Sequence, residues 1–189
     1  NSITPMQDAI NHLRQQGYTD IHMLTEEYDT VEPRQRRIIT LKDSLETFGY
    51  SRKEVDEKYI HIFNENTKEE AKNILKVILK NNKNGIPAII CSNGKISLTV
   101  AKAIKDLNIR MPFELGFVSF DDFGSNNSLG WTELNSPSIT SLSPNWYQLG
   151  YRAVELLQQR LQKPAGSKKN INIEVKLDIK ESTDLLKQY

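Results

Sequence analysis

The chain is expected to fold as an α/β protein, an open, mostly parallel sheet with helices on both faces. Short apolar runs alternate with segments of helical periodicity four times between residues 1 and 120. Strands separated by helices cannot pair as hairpins, so the pattern calls for parallel pairing through right-handed crossovers. At 189 residues, with 38% hydrophobic and 26% charged residues, the chain is long and apolar enough to bury a real core.

The elements follow in order. Ser2 or Thr4 caps a first helix with Pro5 at its start, Ala9, Ile10 and Leu13 at helical spacing, and Gly17 closing it. Ile21 to Leu24 reads as a buried strand. Pro33 opens a second helix with Ile38, Leu41, Leu45 and Phe48 on one face, ended by Gly49. Tyr59 to Phe63 is the second strand. Thr67 and Glu70 form a capping box for a helix that buries Ala71, Ile74, Leu75, Ile78 and Leu79. Pro87 to Cys91 is the third strand. Ser92 or Asn93 caps a helix with Leu98, Ala101, Ile104 and Leu107 inward, and Asn108 takes the left-handed position at its end. Leu115 to Phe120 is the fourth strand.

The rhythm then breaks. Asp121 to Ser138 is rich in Asp, Asn, Ser and Gly and reads as a long functional loop. Ile139 to Leu142 is a short strand. Ser143-Pro144 starts a helix with Leu149, Ala153, Leu156, Leu157 and Leu161 apolar, stopped by Pro164. Ile171, Ile173, Val175, Leu177 and Ile179 alternate with polar residues, the pattern of a half-exposed edge strand.

Several function classes are excluded or disfavoured. No apolar run approaches the roughly 20 residues of a membrane span. A pI near 8.0 and a net charge of +1 lie below the mark of a dedicated nucleic-acid domain. The single cysteine, Cys91, permits neither an internal disulfide nor a cysteine zinc site, and points to a cytoplasmic protein. No glycine-rich phosphate loop, nucleophile elbow or His-Glu-x-x-His helix is present, and no cofactor is implied. The three histidines, His12, His22 and His61, read as structural. Asp121-Asp122 are adjacent, so their carboxylates point apart and suit acid/base work poorly. Arg34, Arg36 and Arg37 read as a solvated helix face.

The positional reading is more specific. Ligands of open parallel sheets bind outside the carboxyl ends of the strands. Those exits lead here to Arg37, to Phe63, to Asn93 and to Asp121. A guanidinium donor, an aromatic face, an amide and a carboxylate acceptor together suit a polyhydroxylated small molecule.

An ordered set of motifs carries a family resemblance. Ala9 to Tyr18 resembles a family helix that precedes a Gly-His turn. Arg37-Ile38-Ile39-Thr40-Leu41 sits where the family has Arg-x-x-Gly-Phe. Ala88-Ile89-Ile90-Cys91-Ser92-Asn93-Gly94 matches its strand end, and Asn108 to Pro112 followed by Leu115 to Asp122 resembles its Val-Pro and Gly-Phe-Asp-Asp segments. Ser136-Pro137-Ser138-Ile139-Thr140-Ser141-Leu142, with Leu149, Gly150 and Ala153, resembles its Pro-x-Leu-Thr-Thr stretch and the helix that follows. The family is that of the LacI/GalR bacterial transcriptional regulators, in its effector-binding core. Gly94, Thr40 and Ser119 depart from the family pattern.

The resemblance implies a periplasmic-binding-protein-like fold of two subdomains around a cleft, normally a homodimer, with DNA bound by an N-terminal helix-turn-helix absent from this chain. It implies that residues 1–138 plus 170–189 form the C-terminal effector-binding subdomain, nearly complete. Residues 139–169 are then the remnant of an N-terminal subdomain, a crossover strand and helix. Arg37, Asn93 and Asp121 become the polar contacts to a sugar or sugar acid, with Phe63 near and Trp131 facing the ligand from a loop. No bond is made or broken in this role, so no catalytic residue is expected. The alternatives are a periplasmic sugar-binding protein of the same architecture, and a flavodoxin-like or Rossmann enzyme using Asp121 or Asp122. The enzyme would need a phosphate loop where the chain has Thr25-Glu26-Glu27-Tyr28. The helix after Pro144 would lack its native sheet, leaving about 8–15 kcal/mol of burial unrealised unless a neighbour covers it or it repacks onto its own subdomain.

Overall fold

The computed structural model describes residues 3–64, 67–82, 85–122, 131–133, 135–163, 167 and 169–186. The elements are α1 (Ile3–Gln16), β1 (Tyr18–Thr25), α2 (Glu32–Thr47), α3 (Arg52–Lys58), β2 (Ile60–Ile62), α4 (Lys68–Asn81), β3 (Ile86–Cys91), α5 (Gly94–Asp106), β4 (Gly116–Phe120), β5 (Thr140–Pro144), α6 (Trp146–Gln162) and β6 (Val175–Asp178), then a 3-10 turn at Glu181–Thr183. The strands form one six-stranded sheet in the order β2-β1-β3-β4-β5-β6. The pairings from β2 through β5 are parallel; β6 joins β5 antiparallel at the edge. The expected class and the edge placement of the last strand both hold.

Pleating divides the apolar side chains between two cores. Ile90 and Val118 face Met6, Ile10, Leu13, Ile38, Leu41 and Val55 of α1, α2 and α3. Their neighbours Ile89 and Phe117 face Leu75, Ile78, Ile96 and Val100 of α4 and α5. A strand covered on both sides reads as a near-continuous apolar run; each residue of β4 is buried, and its one polar side chain, Ser119, donates its hydroxyl to Phe120 O at 3.1 Å.

Several local expectations need correction. α3 has no counterpart in the sequence reading. Ser51 caps it by accepting from Glu54 N at 3.2 Å, and the helix buries Val55. The Thr67–Glu70 capping box does not form. Glu70 Oε2 instead accepts from Asn64 N at 3.2 Å, and the Thr67 side chain makes no capping bond. In α5 the inward face is turned by about one residue: Ile96, Val100, Ala103 and Ile104 are buried, and Leu98 is exposed. Pro144 ends β5 rather than opening α6; Asn145 is the cap, accepting from Gln148 N at 2.9 Å. Asn108 adopts the left-handed conformation at φ 53°, as expected.

The larger correction concerns residues 139–144. The family resemblance places them with α6 in a separate subdomain remnant. Thr140–Pro144 are the fifth strand of this sheet, with Val118, Ser119 and Phe120 opposite Thr140, Ser141 and Leu142. The C-terminal segment pins the strand in place. Thr140 N donates to Ser182 Oγ at 2.9 Å, and Ser182 Oγ donates to Phe117 O at 2.6 Å. Thr183 Oγ1 meets both Thr140 Oγ1 at 2.6 Å and His12 Nε2 at 2.9 Å. Buried hydroxyls need such partners.

α6 has no buried residue, and Tyr147, Tyr151, Val154, Leu157 and Leu161 are exposed. It does not repack onto its own sheet. Pro164, the expected stop, and the stretch 123–130 of the long loop lie outside the described residues.

Candidate functional site

Five parallel strands place their carboxyl ends on one rim, and that rim collects most of the expected residues. Arg37 reaches it from the second turn of α2. Its Nη1 donates to Ser92 O at the end of β3, and its guanidinium carbon lies 3.5 Å from the centre of the Phe120 ring at the end of β4. This cation–π seat fixes the group where β3 and β4 end. Burial pushes the Arg37 pKa down to about 10; Asp121 pulls it up, and Arg34 lowers it further. The group stays charged at neutral pH, and its buried Nε has no hydrogen-bond partner among the described residues.

Asp121 follows β4 at φ 68°, a left-handed conformation that Asp tolerates better than most side chains. Its N–H donates to Leu142 O at 2.8 Å, and its carboxylate accepts from Gly94 N at 3.4 Å. Burial raises its pKa, with Arg37 and the Gly94 N–H opposing. Asp122 turns elsewhere. Its carboxylate accepts from Thr132 Oγ1 at 2.6 Å and lies 3.6 Å from Lys180 Nζ. Lys180 also meets Glu133 at 2.9 Å and Asp178 at 3.1 Å. Burial disfavours its charge, but hydrogen bonds to these two carboxylates outweigh that and raise its pKa. The two neighbouring carboxylates thus serve different ends, as their adjacency implied.

Asn93 does two jobs. Its Oδ1 caps α5, accepting from Lys95 N at 3.0 Å and Ile96 N at 3.1 Å. Its Nδ2 donates to Glu26 Oε1 at 2.8 Å. Asn93→Ala is expected to lower the unfolding free energy by about 1–2 kcal/mol in urea melts. Asn93→Ser, which keeps a capping oxygen, is expected to recover most of that. Equal losses for the two variants would assign the cost to the Glu26 bond instead.

Two of the expected residues behave differently. Phe63 does sit at the end of β2, but it is only 6% exposed and packs with Leu24, Ala71 and Leu75. Most of its ring is spent on the core. Trp131 is half-buried against the same core, and its indole N–H donates to Asp121 O at 3.0 Å. Its polar edge is committed to backbone rather than aimed into open space.

The sequence reading also missed partners. Glu26, one residue past β1, ties the rim together by accepting from both Asn93 and Arg34. The strand-exit rule that selected Asp121 would have found it. Arg34 therefore belongs to the rim, and of the arginine cluster Arg36 is the outward one, paired with Glu32 on the exposed face. A groove of about 840 Å³ opens beside this network, lined by Glu26, Glu27, Phe63, Asn64, Glu70 and Asn73. Its polar lining can hydrogen-bond hydroxyls, and the Phe63 edge offers some apolar contact. Among the described residues there is no group of three or more His, Cys, Asp or Glu that could hold a metal ion. Nor is any described helix long and apolar enough to cross a membrane.

Residues 10–183 match the periplasmic binding protein-like domain family. The chain is 25% identical over 175 residues to the HTH-type transcriptional regulator KdgR of Bacillus subtilis, covering 93% of this chain and 49% of that protein. It is 26% identical over 178 residues to the HTH-type transcriptional regulator PtxS of Pseudomonas putida, covering 94% and 48%. The chain thus spans about half the length of the curated relatives it matches. Among solved structures, a LacI family transcriptional regulator from Enterococcus faecium with bound ribose superposes with a TM-score of 0.77 at 17% identity, covering 98% of this chain and 64% of that one. A probable maltose operon transcriptional repressor from Staphylococcus aureus gives 0.76 at 22%, covering 96% and 60%. At these identities the structures establish the fold. The chain belongs to the periplasmic binding protein-like domain family.

Proposed function

We propose that this chain is the effector-binding portion of a cytoplasmic LacI-type DNA-binding regulator and that it takes a sugar or sugar derivative at the rim formed by Arg37, Asn93 and Asp121. The observation that carries the reading is the convergence of these three side chains at the ends of β3 and β4, with a charged guanidinium and a carboxylate held half-buried together. A carboxylate accepts from two sugar hydroxyls, and a guanidinium donates to others. The role is binding, and no covalent step is assigned to any residue. The effector closes this unit against a second subdomain. Closure then changes a homodimer's arrangement and the spacing of helix-turn-helix heads that are not in this chain. Coupling of about 1–3 kcal/mol between the two ligands is the usual scale. That curated relatives are HTH-type regulators supports this reading over a periplasmic sugar-binding protein.

A thermal-shift screen of sugars and sugar acids on the full-length parent protein tests it. An effector at a hundred times its Kd is expected to stabilise the protein by about 2.7 kcal/mol. Asp121→Asn preserves the left-handed turn and removes the charge, so affinity should fall about 10- to 100-fold. No shift with any sugar or sugar acid, or an undiminished shift in the variant, would rule the site out.

A further inference from the structure

Two indole rings hold the turn that carries Asp121. Trp131 Nε1 donates to Asp121 O at 3.0 Å, and Trp146 Nε1 donates to Asp122 O at 2.9 Å. The chain has two tryptophans, and both spend their one donor on consecutive carbonyls of this turn. They arrive from different elements. Trp131 lies in the loop before β5, and Trp146 is the first residue of α6.

The turn is gripped from both sides. Asp121 N donates to Leu142 O at 2.8 Å, and Asp122 N donates to Ser143 Oγ at 3.2 Å, so its amides are tied to β5. Its carbonyls are tied to the indoles. Between these ties Asp121 is kept at positive φ, with its carboxylate directed to Gly94 N. A left-handed residue outside glycine persists only when its surroundings over-determine it.

We propose that Trp131 and Trp146 are positioning residues for the Asp121 carboxylate and that Trp146 makes that position depend on the orientation of α6. Apart from Trp146 at its start, the helix presents mostly exposed side chains and buries none. A swing of α6 about Asn145 moves the Trp146 ring and releases the Asp122 carbonyl. A ligand that favours one placement of Asp121 then favours one orientation of α6, and the reverse holds by linkage. The consequence for effector control rests on the function proposed above. The positioning itself can be tested without a ligand.

Hydrogen exchange read by mass spectrometry on the full-length protein supplies the test. Trp146→Phe keeps a ring and loses the donor. Exchange in peptides covering residues 92–96 and 120–122 is expected to rise about tenfold, the scale of one lost hydrogen bond, with α4 peptides unchanged. No change in those two peptides would overturn the proposal. So would an equal rise throughout α4 and β3, which would make the indole a general core brace. Asn145→Ala loosens the first turn of α6 without touching either indole. It is expected to raise exchange in the same peptides about threefold in the wild-type background and to add nothing in Trp146→Phe. Additive effects would remove the link to α6. A sugar screen that failed while these exchange results held would sink the proposed function and leave the clamp standing.

Discussion

Gly116→Ala is expected to destabilise the protein by about 2–3 kcal/mol, a drop of about 5–10 °C in Tm. Gly116 opens β4 beside the ring of Tyr18. A Cβ built there falls 2.6 Å from Tyr18 Cζ and 2.7 Å from Cε1, with the Ala88 Cβ at 3.1 Å. The ring cannot step aside easily. It is 1% exposed, and its hydroxyl donates to Pro112 O at 3.2 Å. An added methyl must therefore shift the β3–β4 pairing or break that bond, because the interior is close-packed. Tyr18→Leu removes the obstructing ring atoms. In the double variant the alanine should cost less than it does alone, giving a coupling of about 1 kcal/mol. Full stability in Gly116→Ala by urea denaturation would show that the sheet gives way at little cost.

The second large effect is with pH. His22 on β1 and His61 on β2 meet across the strands, Nδ1 to Nε2 at 3.0 Å. Burial pushes the His22 pKa down to about 3, and its neighbour His61 adds to the depression; burial lowers His61 as well. In the unfolded chain a histidine titrates near 6.5. Between about pH 6.5 and 3 the unfolded state therefore binds more protons than the folded one. Stability from this source is complete above pH 6.5 and falls as pH drops toward 3. At pH 4.5 the loss from His22 is expected to be about 2–3 kcal/mol relative to pH 7.5. Asp121 acts with the opposite sign. Its raised pKa contributes stability present below the ordinary carboxylate range and lost as pH rises through its folded value. Comparing wild type with His22→Gln at each pH isolates the histidine. Urea melts should show a shallower pH slope in the variant, and identical slopes would assign the acid sensitivity to other groups.

The parallel sheet was readable because apolar runs and helical stripes alternate, and pairing geometry leaves few other ways to bury them. The rim was readable for the same reason. Once the strands run one way, Arg37, Asn93 and Asp121 must emerge on one side. α3 escaped notice because a seven-residue helix with Val55 as its one buried side chain shows little periodicity. Phe63 fell between two roles, since an aromatic residue at a strand exit can cover a ligand or complete the core, and in this fold the core takes most of it.

Local order thus settled the architecture, the direction of the strands and the shared edge of the candidate site. Periodicity and strand direction are properties of neighbouring residues, and a linear chain records them. It does not record which distant groups meet. That Asp121 turns to Gly94 while Asp122 turns to Lys180, that Glu26 joins Asn93 to Arg34, and that both indoles face backbone carbonyls were decided when the sheet closed up. Buried polar groups must find partners wherever packing leaves them, and many of those partners lie dozens of residues away along the chain.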